Sequence, residues 1–228
     1  MITLYHCMSA RSFRPLWLLE ELGLPYELVM LPFPPRSAAR AYLEVNPLGT
    51  IPLMIDGATR MTESVAICQY LCARAAPTSL EVRPDEAEYG AYLDHLHFGE
   101  ATLTFPQTLV LRYSRFEPTP RRIPSVAEDY TRWFLARLRT LETALSTRTF
   151  LCADRFTAAD VSVGYALLLA RHLGLEPRWR PGIATYWKRL EARDGYQRAL
   201  LAQEAAAIAQ GVSTVPAPDT LPEDPPVS

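Results

Sequence analysis

The sequence contains no apolar run long enough to cross a membrane, and its charges nearly cancel. Its longest apolar run extends from Val163 to Ala170, whereas a spanning helix needs about 18 apolar residues. The net charge is −2 and the isoelectric point is about 6.1, so the chain lacks the basic excess that binds a nucleic-acid backbone. Apolar residues nevertheless make up 49% of the 228 positions, enough to bury a sizeable core. We therefore expect neither a membrane-spanning segment nor a nucleic-acid partner.

Cysteine and lysine are scarce. The four cysteines, at positions 7, 68, 72 and 152, do not follow the spacing of a disulfide framework, and no histidine or further cysteine stands near enough to complete a zinc site. The first residues lack the basic and apolar regions of a signal peptide. We therefore expect reduced cysteines, no metal and a cytoplasmic location. Lysine occurs once, at Lys188, against 22 arginines, and we attach no function to this bias.

Short strand-like and helix-like segments alternate over residues 1–76. Apolar patterns predict strands at 1–5 and 26–31, separated by a helix at 12–22 that Gly23 ends. A short helix at 37–43, a turn at Asn46-Pro47-Leu48-Gly49, two strands at 51–55 and 59–61 around the hairpin signal Asp56-Gly57, and a helix at 63–74 follow. The strand–helix–strand opening predicts two parallel strands, so residues 1–76 form a small α/β domain.

No strand pattern is present in the second half of the chain. After a linker at 77–86, apolar residues recur at helical spacing from residue 87 to about 210, for example at Tyr130, Phe134, Leu138, Leu141 and Leu145. Thr157 and Asp160 fit a capping box at the start of a helix. These patterns predict an all-α domain. The last stretch, 211–228, is rich in proline and has no basic residue, and we expect a disordered tail there.

Four motifs indicate a known family by their order and spacing. They are Leu22-Gly23-Leu24-Pro25-Tyr26-Glu27 after the first helix, Asn46-Pro47-Leu48-Gly49-Thr50-Ile51-Pro52, Thr62-Glu63-Ser64 at a helix start, and Phe156-Thr157-Ala158-Ala159-Asp160 in the second half. With these motifs, residues 1–208 resemble the cytosolic glutathione transferases, in particular bacterial serine- or theta-like members. The resemblance implies a thioredoxin-like N-terminal domain that binds glutathione, an all-helical C-terminal domain that supplies most of the site for a hydrophobic co-substrate, and a homodimer. Glutathione is then a co-substrate, and no cofactor is implied.

The same resemblance implies which residues hold glutathione. Pro52 matches a cis proline of the family, and Ile51 before it offers its backbone N–H and C=O groups to the peptide as a short added strand. Glu63 and Ser64 stand where the family binds the γ-glutamyl end. The Ser64 hydroxyl and the first-turn amides would hold its carboxylate, and Glu63 would orient its ammonium group. Arg40 lies near where the family contacts the glycine carboxylate.

The thiol-activating group departs from the family pattern. A free thiol is mostly protonated at neutral pH, so catalysis needs a group that stabilises the thiolate. Ala10 stands where many serine-type members have a hydroxyl, and Arg11 stands where some bacterial members have a cysteine. Ser12 at the predicted helix start, Ser9, and the charge of Arg11 are therefore the candidates. Cys7 offers a different route, a mixed disulfide with glutathione.

Four side chains in the helical half are candidates for the hydrophobic co-substrate site: His97, Phe98, Phe105 and Tyr113. The implied function is conjugation, in which the glutathione thiolate attacks an electrophilic carbon of a small hydrophobic compound. Three alternatives stay open. One is a non-catalytic protein of the same fold that binds glutathione or a hydrophobic ligand. Another is a glutathione-dependent thiol-disulfide reductase that works through Cys7. The third is a protein-interaction module recruited through the helical domain, as in some members of the family.

Overall fold

The computed structural model describes residues 1–220, and the chain begins with a four-stranded mixed sheet. The strands are β1 (Ile2–His6), β2 (Tyr26–Met30), β3 (Leu53–Asp56) and β4 (Thr59–Met61), in the spatial order β2-β1-β3-β4. β1 pairs with β2 in parallel, whereas β3 pairs with β1 and with β4 in antiparallel fashion. The helix α1 (Phe13–Leu22) connects the parallel pair, as the strand–helix–strand pattern predicts.

Three further helices belong to this α/β unit. They are α2 (Pro35–Ala38), α3 (Tyr42–Val45) and α4 (Ser64–Arg74). The prediction of one helix at 37–43 is wrong, because Pro35 starts α2 at its first position and the backbone leaves the helical region at Ala39, with φ −136°. Two predicted turns are confirmed. Gly23 ends α1 in the left-handed region at φ 64°, and Gly49 closes the turn after Asn46 at φ 61°.

The rest of the described chain, from residue 77 to 220, contains helices and no strand, as predicted. The α-helices are α5 (Tyr89–His97), α6 (Phe105–Leu111), α7 (Pro124–Leu145), α8 (Ala158–His172), α9 (Pro181–Glu191) and α10 (Asp194–Ala209). Two π-helical segments, Phe98–Thr104 and Arg112–Phe116, flank α6, and short 3₁₀ turns cover Thr119–Arg121, Glu176–Arg178 and Ala217–Asp219. Among residues 1–220 no helix is both long and apolar enough to span a bilayer.

The helix α8 is the centre of the molecule, since every residue from Ala158 to Ala170 is buried. Gly164 faces the ring of Trp17 on α1, and a Cβ added there would lie 2.7 Å from a ring atom. The Trp17 ring also packs on Tyr196, with ring centroids 5.0 Å apart. This packing joins the α/β unit to the helical unit.

The predicted capping box starts α8. The Asp160 carboxylate accepts hydrogen bonds from the Thr157 N–H at 2.9 Å, the Leu151 N–H at 3.1 Å and the Tyr186 hydroxyl at 2.8 Å. Burial raises the pKa of Asp160 to about 6 despite these hydrogen bonds, which act in the opposite direction. The box therefore ties the start of α8 to α9 as well as capping it.

The expectation of a disordered tail is wrong over residues 212–220. Ala217 and Pro218 are buried, and the Ala217 N–H donates to the Met8 carbonyl at 2.7 Å. The segment is ordered because partners distant in sequence bind it, above all Arg115, which pairs with Asp219 at 2.8 Å. The remainder of the predicted tail, 221–228, lies outside the described residues.

Candidate functional site

The sheet brings three predicted segments together at one of its ends. Met54 pairs with Met61, so the register carries Pro52 and Glu63 to neighbouring positions just beyond β3 and β4. Tyr5 pairs with Leu53, so the loop that follows β1 emerges at the same end. The Ile51–Pro52 peptide bond there is cis, as the resemblance implied, and Pro52 is buried.

A cleft of about 340 Å³ lies between this end of the sheet and the helical unit. The α/β unit contributes Ala10, Arg11, Phe33, Thr50 and Ile51 to it, among others. The helical unit contributes Thr104, Thr108, Leu111, Phe116, Tyr165 and Leu169, and the C-terminal segment contributes Ala217 and Pro218. The cleft is therefore mostly apolar, with Arg11 as its charged side chain and hydroxyl groups from Thr50, Thr104, Thr108 and Tyr165.

Arg11 is the charged side chain of the cleft. Its guanidinium lies 3.1 Å from a Glu100 carboxylate oxygen, and the side chain is 38% exposed. Arg11 directly precedes Ser12, the N-cap residue of α1, and a helix N-terminus favours negative charge. Of the three predicted thiol-activating residues, Arg11 is the one that lines this cleft.

Ser12 and Ser9 do not line the cleft. The Ser12 hydroxyl lies 2.7 Å from Nδ1 of His6, and Oε1 of Gln203 lies 2.9 Å from Nε2 of the same ring. Gln203 also accepts the Ser9 N–H at 2.9 Å and donates to the Ser9 hydroxyl at 3.2 Å. The structure thus contradicts a direct role of either serine in thiol activation, because both hydroxyls are buried in a network that holds the loop after β1.

Cys7 is buried beneath the cleft. Its sulfur lies 3.7 Å from the Pro32 carbonyl, and burial raises the pKa of its thiol to about 12. A buried thiol with this pKa carries little thiolate at neutral pH. All four cysteines are free and buried, so nothing in the described residues supports a disulfide exchange route through Cys7.

The start of α4 presents one exposed acid and one buried hydroxyl. Glu63 precedes the helix at its N-cap position and is exposed, whereas Ser64 is 1% exposed. The Ser64 hydroxyl accepts a hydrogen bond from Nη1 of Arg14 at 3.2 Å and keeps its own proton to donate. Arg40 is exposed and does not line the cleft, so its contact with glutathione stays a prediction.

Arg14 is a site residue that sequence reasoning missed. It is fully buried on α1, and besides Ser64 it donates to the Gly99 carbonyl at 3.1 Å, the Thr104 hydroxyl at 2.6 Å and the Glu100 carboxylate. Its position was a signal, because a charged residue between Phe13 and Leu16 falls within the apolar face of the predicted helix.

The four predicted co-substrate residues lie elsewhere. His97 is exposed, Phe98 packs against the core, Phe105 is 56% exposed and Tyr113 packs under Arg112. The cleft instead receives Thr104, Thr108 and Leu111 from this stretch. The prediction was wrong because the inward face of this stretch carries Thr104, Thr108 and Leu111, spaced four and three residues apart, and Phe105 lies off that face.

Comparison with known proteins agrees with this architecture. The family models for the glutathione S-transferase N-terminal and C-terminal domains match residues 8–74 and 131–194, together more than half of the chain. Glutathione S-transferase 3 of Schizosaccharomyces pombe is 29% identical over 75% of this chain and 75% of its own length.

Two solved structures from Phanerochaete chrysosporium share the fold. The glutathione transferase URE2P6, in complex with oxidized glutathione, is 28% identical with a TM-score of 0.78, and the match covers 90% of this chain and 97% of that one. Ure2p5, cocrystallized with 1-(S-glutathionyl)-2,4-dinitrobenzene, is 25% identical with a TM-score of 0.77, covering 92% and 96%. The chain belongs to the glutathione S-transferase family and is a transferase of that type.

Proposed function

We propose that this transferase joins the sulfur of glutathione to small apolar electrophiles in the cleft between its two units. The observation that carries the proposal is that one cleft is lined both by the cationic Arg11 and by apolar side chains, among them Leu111, Phe116 and Leu169. A charged thiolate and an apolar electrophile can meet in such a space, because the cation favours the anion and the apolar side chains favour the electrophile. The crystallised conjugate of the related Ure2p5 supports an aromatic electrophile as a substrate of this class.

Glutathione is proposed to lie along the end of the sheet. Ile51 lies beside the cleft and makes no backbone–backbone hydrogen bond with any described residue, which leaves its N–H and C=O groups for the peptide. Glu63 is exposed beside the first-turn amides of α4, so it can pair with the γ-glutamyl ammonium while those amides and the Ser64 hydroxyl hold the carboxylate. This orientation directs the cysteine of the peptide toward Ala10 and Arg11.

Arg11 is proposed to stabilise the thiolate by charge. Ala10 has no hydroxyl group that could face the sulfur, and the Ser12 hydroxyl is hydrogen-bonded to His6. A guanidinium next to the N-terminal end of α1 lowers the pKa of a nearby thiol, because both favour the anion. The thiolate then attacks the electrophilic carbon, a carbon–sulfur bond forms, the leaving group departs with its electron pair, and the thiol proton passes to solvent.

The test measures the thiolate directly. We expect the ultraviolet thiolate band of bound glutathione to persist well below pH 8 in the unmodified protein. In Arg11→Ala the midpoint of that band shifts upward by about one pH unit, and Arg11→Lys restores part of the shift. Arg83→Ala, which removes an exposed arginine paired with Asp85, is the matched control and leaves the midpoint in place. A midpoint that Arg11→Ala does not move contradicts the assignment of Arg11.

Glutathione binding is tested separately at α4. Glu63→Ala is expected to abolish retention on immobilised glutathione, whereas Glu44→Gln, which changes an exposed acid on α3, leaves retention intact. Normal retention of Glu63→Ala argues against this orientation of the peptide. Binding without a thiolate band and without turnover of any electrophile would favour a non-catalytic binding protein instead.

We also propose a homodimer in the cytoplasm. Exposed apolar side chains support an interface between copies, notably Leu48 before β3 at 59% exposure and Phe105 on α6 at 56%. Sedimentation is expected to give a mass twice that of one chain. The Phe105→Glu substitution is expected to lower this mass toward that of the monomer. Four free cysteines support a reducing compartment.

A further inference from the structure

The last described segment, residues 212–220, forms one wall of the cleft, and we call it the strap. Ala217 and Pro218 of the strap are buried and line the cleft. Ala217 packs in one apolar cluster with Cys7 and Ala10 of the loop after β1, and its N–H donates to the Met8 carbonyl at 2.7 Å. A segment distant in sequence therefore lies directly beside the loop that carries Arg11.

Arg115 fastens the strap to the helical unit. Its guanidinium donates to the Asp219 carboxylate at 2.8 Å, to the Pro218 carbonyl at 2.8 Å and to the His172 carbonyl at 2.7 Å. The other carboxylate oxygen of Asp219 lies 2.7 Å from Nδ1 of His172. By contrast Ser213, Thr214 and Val215 are exposed, so the strap is held by the contacts of Ala217 with the loop after β1 and by these anchors at its end.

A second cavity lies on the other side of the strap. Its volume is about 730 Å³, and it is lined by Thr214, Pro216 and Asp219 of the strap together with Met8 and His172. The cleft on the first side is lined by Ala217 and Pro218 and measures about 340 Å³. The strap is thus a partition between two spaces, and the smaller one holds the proposed reaction.

We propose that the strap limits the size of the electrophile and that Arg115 is the positioning residue that keeps it in place. The inference rests on the proposed conjugation in the cleft. With the strap fastened, Pro218 lines the cleft of about 340 Å³ together with Phe33 and Phe116, whose rings pack against each other with centroids 5.5 Å apart. The limited volume favours single-ring compounds. With the strap released, the two spaces join and compounds with two rings fit.

The experiment compares two electrophiles of different size, 1-chloro-2,4-dinitrobenzene and 4-(chloromethyl)biphenyl. In both reactions a carbon–sulfur bond forms, chloride leaves with the electron pair of the broken bond, and the thiol proton passes to solvent. We expect Arg115→Ala and Asp219→Ala to raise the ratio of kcat/KM for the larger compound over the smaller by about tenfold, the scale of a lost charge-assisted hydrogen bond. The KM for glutathione stays unchanged in both variants.

Two further variants separate positioning from general damage. Arg112→Ala removes an exposed arginine of the same π-helical segment whose partner is Glu117, and it is expected to leave the ratio unchanged. Arg115→Lys keeps one donor and is expected to restore part of the selectivity. An unchanged ratio in both Arg115→Ala and Asp219→Ala, or an equal fall for both compounds, overturns the proposal.

The strap remains testable if conjugation itself fails. If the unmodified protein converts neither compound, the proposed function is overturned, and the variants are then compared by titration with S-methylglutathione and S-(4-phenylbenzyl)glutathione. A tenfold rise in relative affinity for the larger conjugate still supports the partition. An unchanged ratio of the two affinities overturns it.

Discussion

His6 shows how one side chain fixes the loop beside the cleft. Its ring is completely buried between Ser12 and Gln203, and burial lowers its pKa to about 4. Because Oε1 of Gln203 accepts, Nε2 carries the proton, and Nδ1 is left to accept from the Ser12 hydroxyl. The Ser12 oxygen in turn accepts the Cys7 N–H at 3.4 Å. The chain of hydrogen bonds is complete only while His6 is neutral.

The buried imidazole makes stability depend on pH. An unfolded histidine has a pKa of about 6.5, and His6 has one of about 4 in the folded protein, so the unfolded chain binds the extra proton between these values. The contribution of His6 is therefore complete above pH 6.5 and falls as the pH drops toward 4, by about 3 kcal/mol in all. Denaturant unfolding at pH 7 and pH 4.5, with and without His6→Gln, measures it, and we expect the unmodified protein to lose more stability than the variant.

Asp160 makes stability depend on pH in the opposite direction, and the His6→Gln variant is therefore needed to isolate the effect of His6. Its folded pKa of about 6 exceeds the ordinary value of 3.8, so the folded protein holds the proton more tightly than the unfolded chain. The resulting contribution of Asp160 to the free energy of unfolding is complete below pH 3.8 and is lost as the pH rises through 6. The two effects partly cancel in the unmodified protein, but Asp160 is common to both proteins in the comparison. Equal losses in the unmodified protein and in His6→Gln, or an NMR titration of His6 with a midpoint near 6.5, would contradict the assignment.

Among the elements, the stretch from α5 to α6 decides which side chains reach the cleft. The π-helical segment Phe98–Thr104 follows α5 and packs against α8 so closely that the two backbones are in contact. A Cβ on Gly99 would lie 2.4 Å from the Ser162 hydroxyl oxygen and 2.6 Å from the Ser162 carbonyl carbon. The Ser162 hydroxyl itself donates to the Leu96 carbonyl at 2.6 Å. The crossing therefore has no room for any side chain at position 99.

Two glycines of this stretch give a matched pair of substitutions. Gly99→Ala forces a clash with backbone atoms of Ser162 and is expected to reduce the free energy of unfolding by about 2–4 kcal/mol. Gly90→Ala on α5 meets nothing within 4 Å and is expected to change it by at most about 1 kcal/mol, in the stabilising direction. Thermal and denaturant unfolding of both variants measure these changes in the free energy of unfolding. A Gly99→Ala protein as stable as Gly90→Ala would show that the helices can move apart freely.

The elements also show what the sequence can and cannot predict. Local signals were sufficient for α1 with Gly23 at its end, for the turn at Asn46 and for the capping box of α8, because the residues that form each signal are neighbours in the chain. The inward face of α6 was not predictable, since it depends on how this stretch packs against α8, where Gly99 approaches Ser162 closely. Likewise Ser12 was correctly placed at a helix start, but its hydroxyl is directed by His6.

At the scale of the whole molecule, two contacts between distant parts of the chain build the cleft. The strap is ordered by Met8, Arg115 and His172, none of which is near it in sequence, and composition alone therefore predicted disorder. The other contact is Arg14, which connects the start of α4 to the π-helical segment after α5. The family motifs predicted the two units and their order, whereas the residues that lock the units together follow no local pattern.

Two arginines that join the units differ in burial and so test this connection. Arg14 is fully buried with Ser64, Gly99 and Thr104 as partners besides Glu100, so Arg14→Ala leaves several buried groups unpaired and is expected to cost about 3–5 kcal/mol. Arg198 pairs with Glu20 at 3.0 Å but is 52% exposed, and Arg198→Ala is expected to cost about 1 kcal/mol because water takes the place of the guanidinium beside Glu20.

Hydrogen exchange identifies the elements that Arg14→Ala destabilises. In Arg14→Ala we expect faster exchange in β1, α1 and α4, while α7 and α9 keep their protection, because the helical unit retains its own core around α8. Arg198→Ala serves as the control and is expected to leave the exchange pattern nearly unchanged. Equal costs for the two substitutions, or uniformly faster exchange in Arg14→Ala, would mean that the two units unfold as one and that Arg14 contributes no more to joining them than an exposed arginine does.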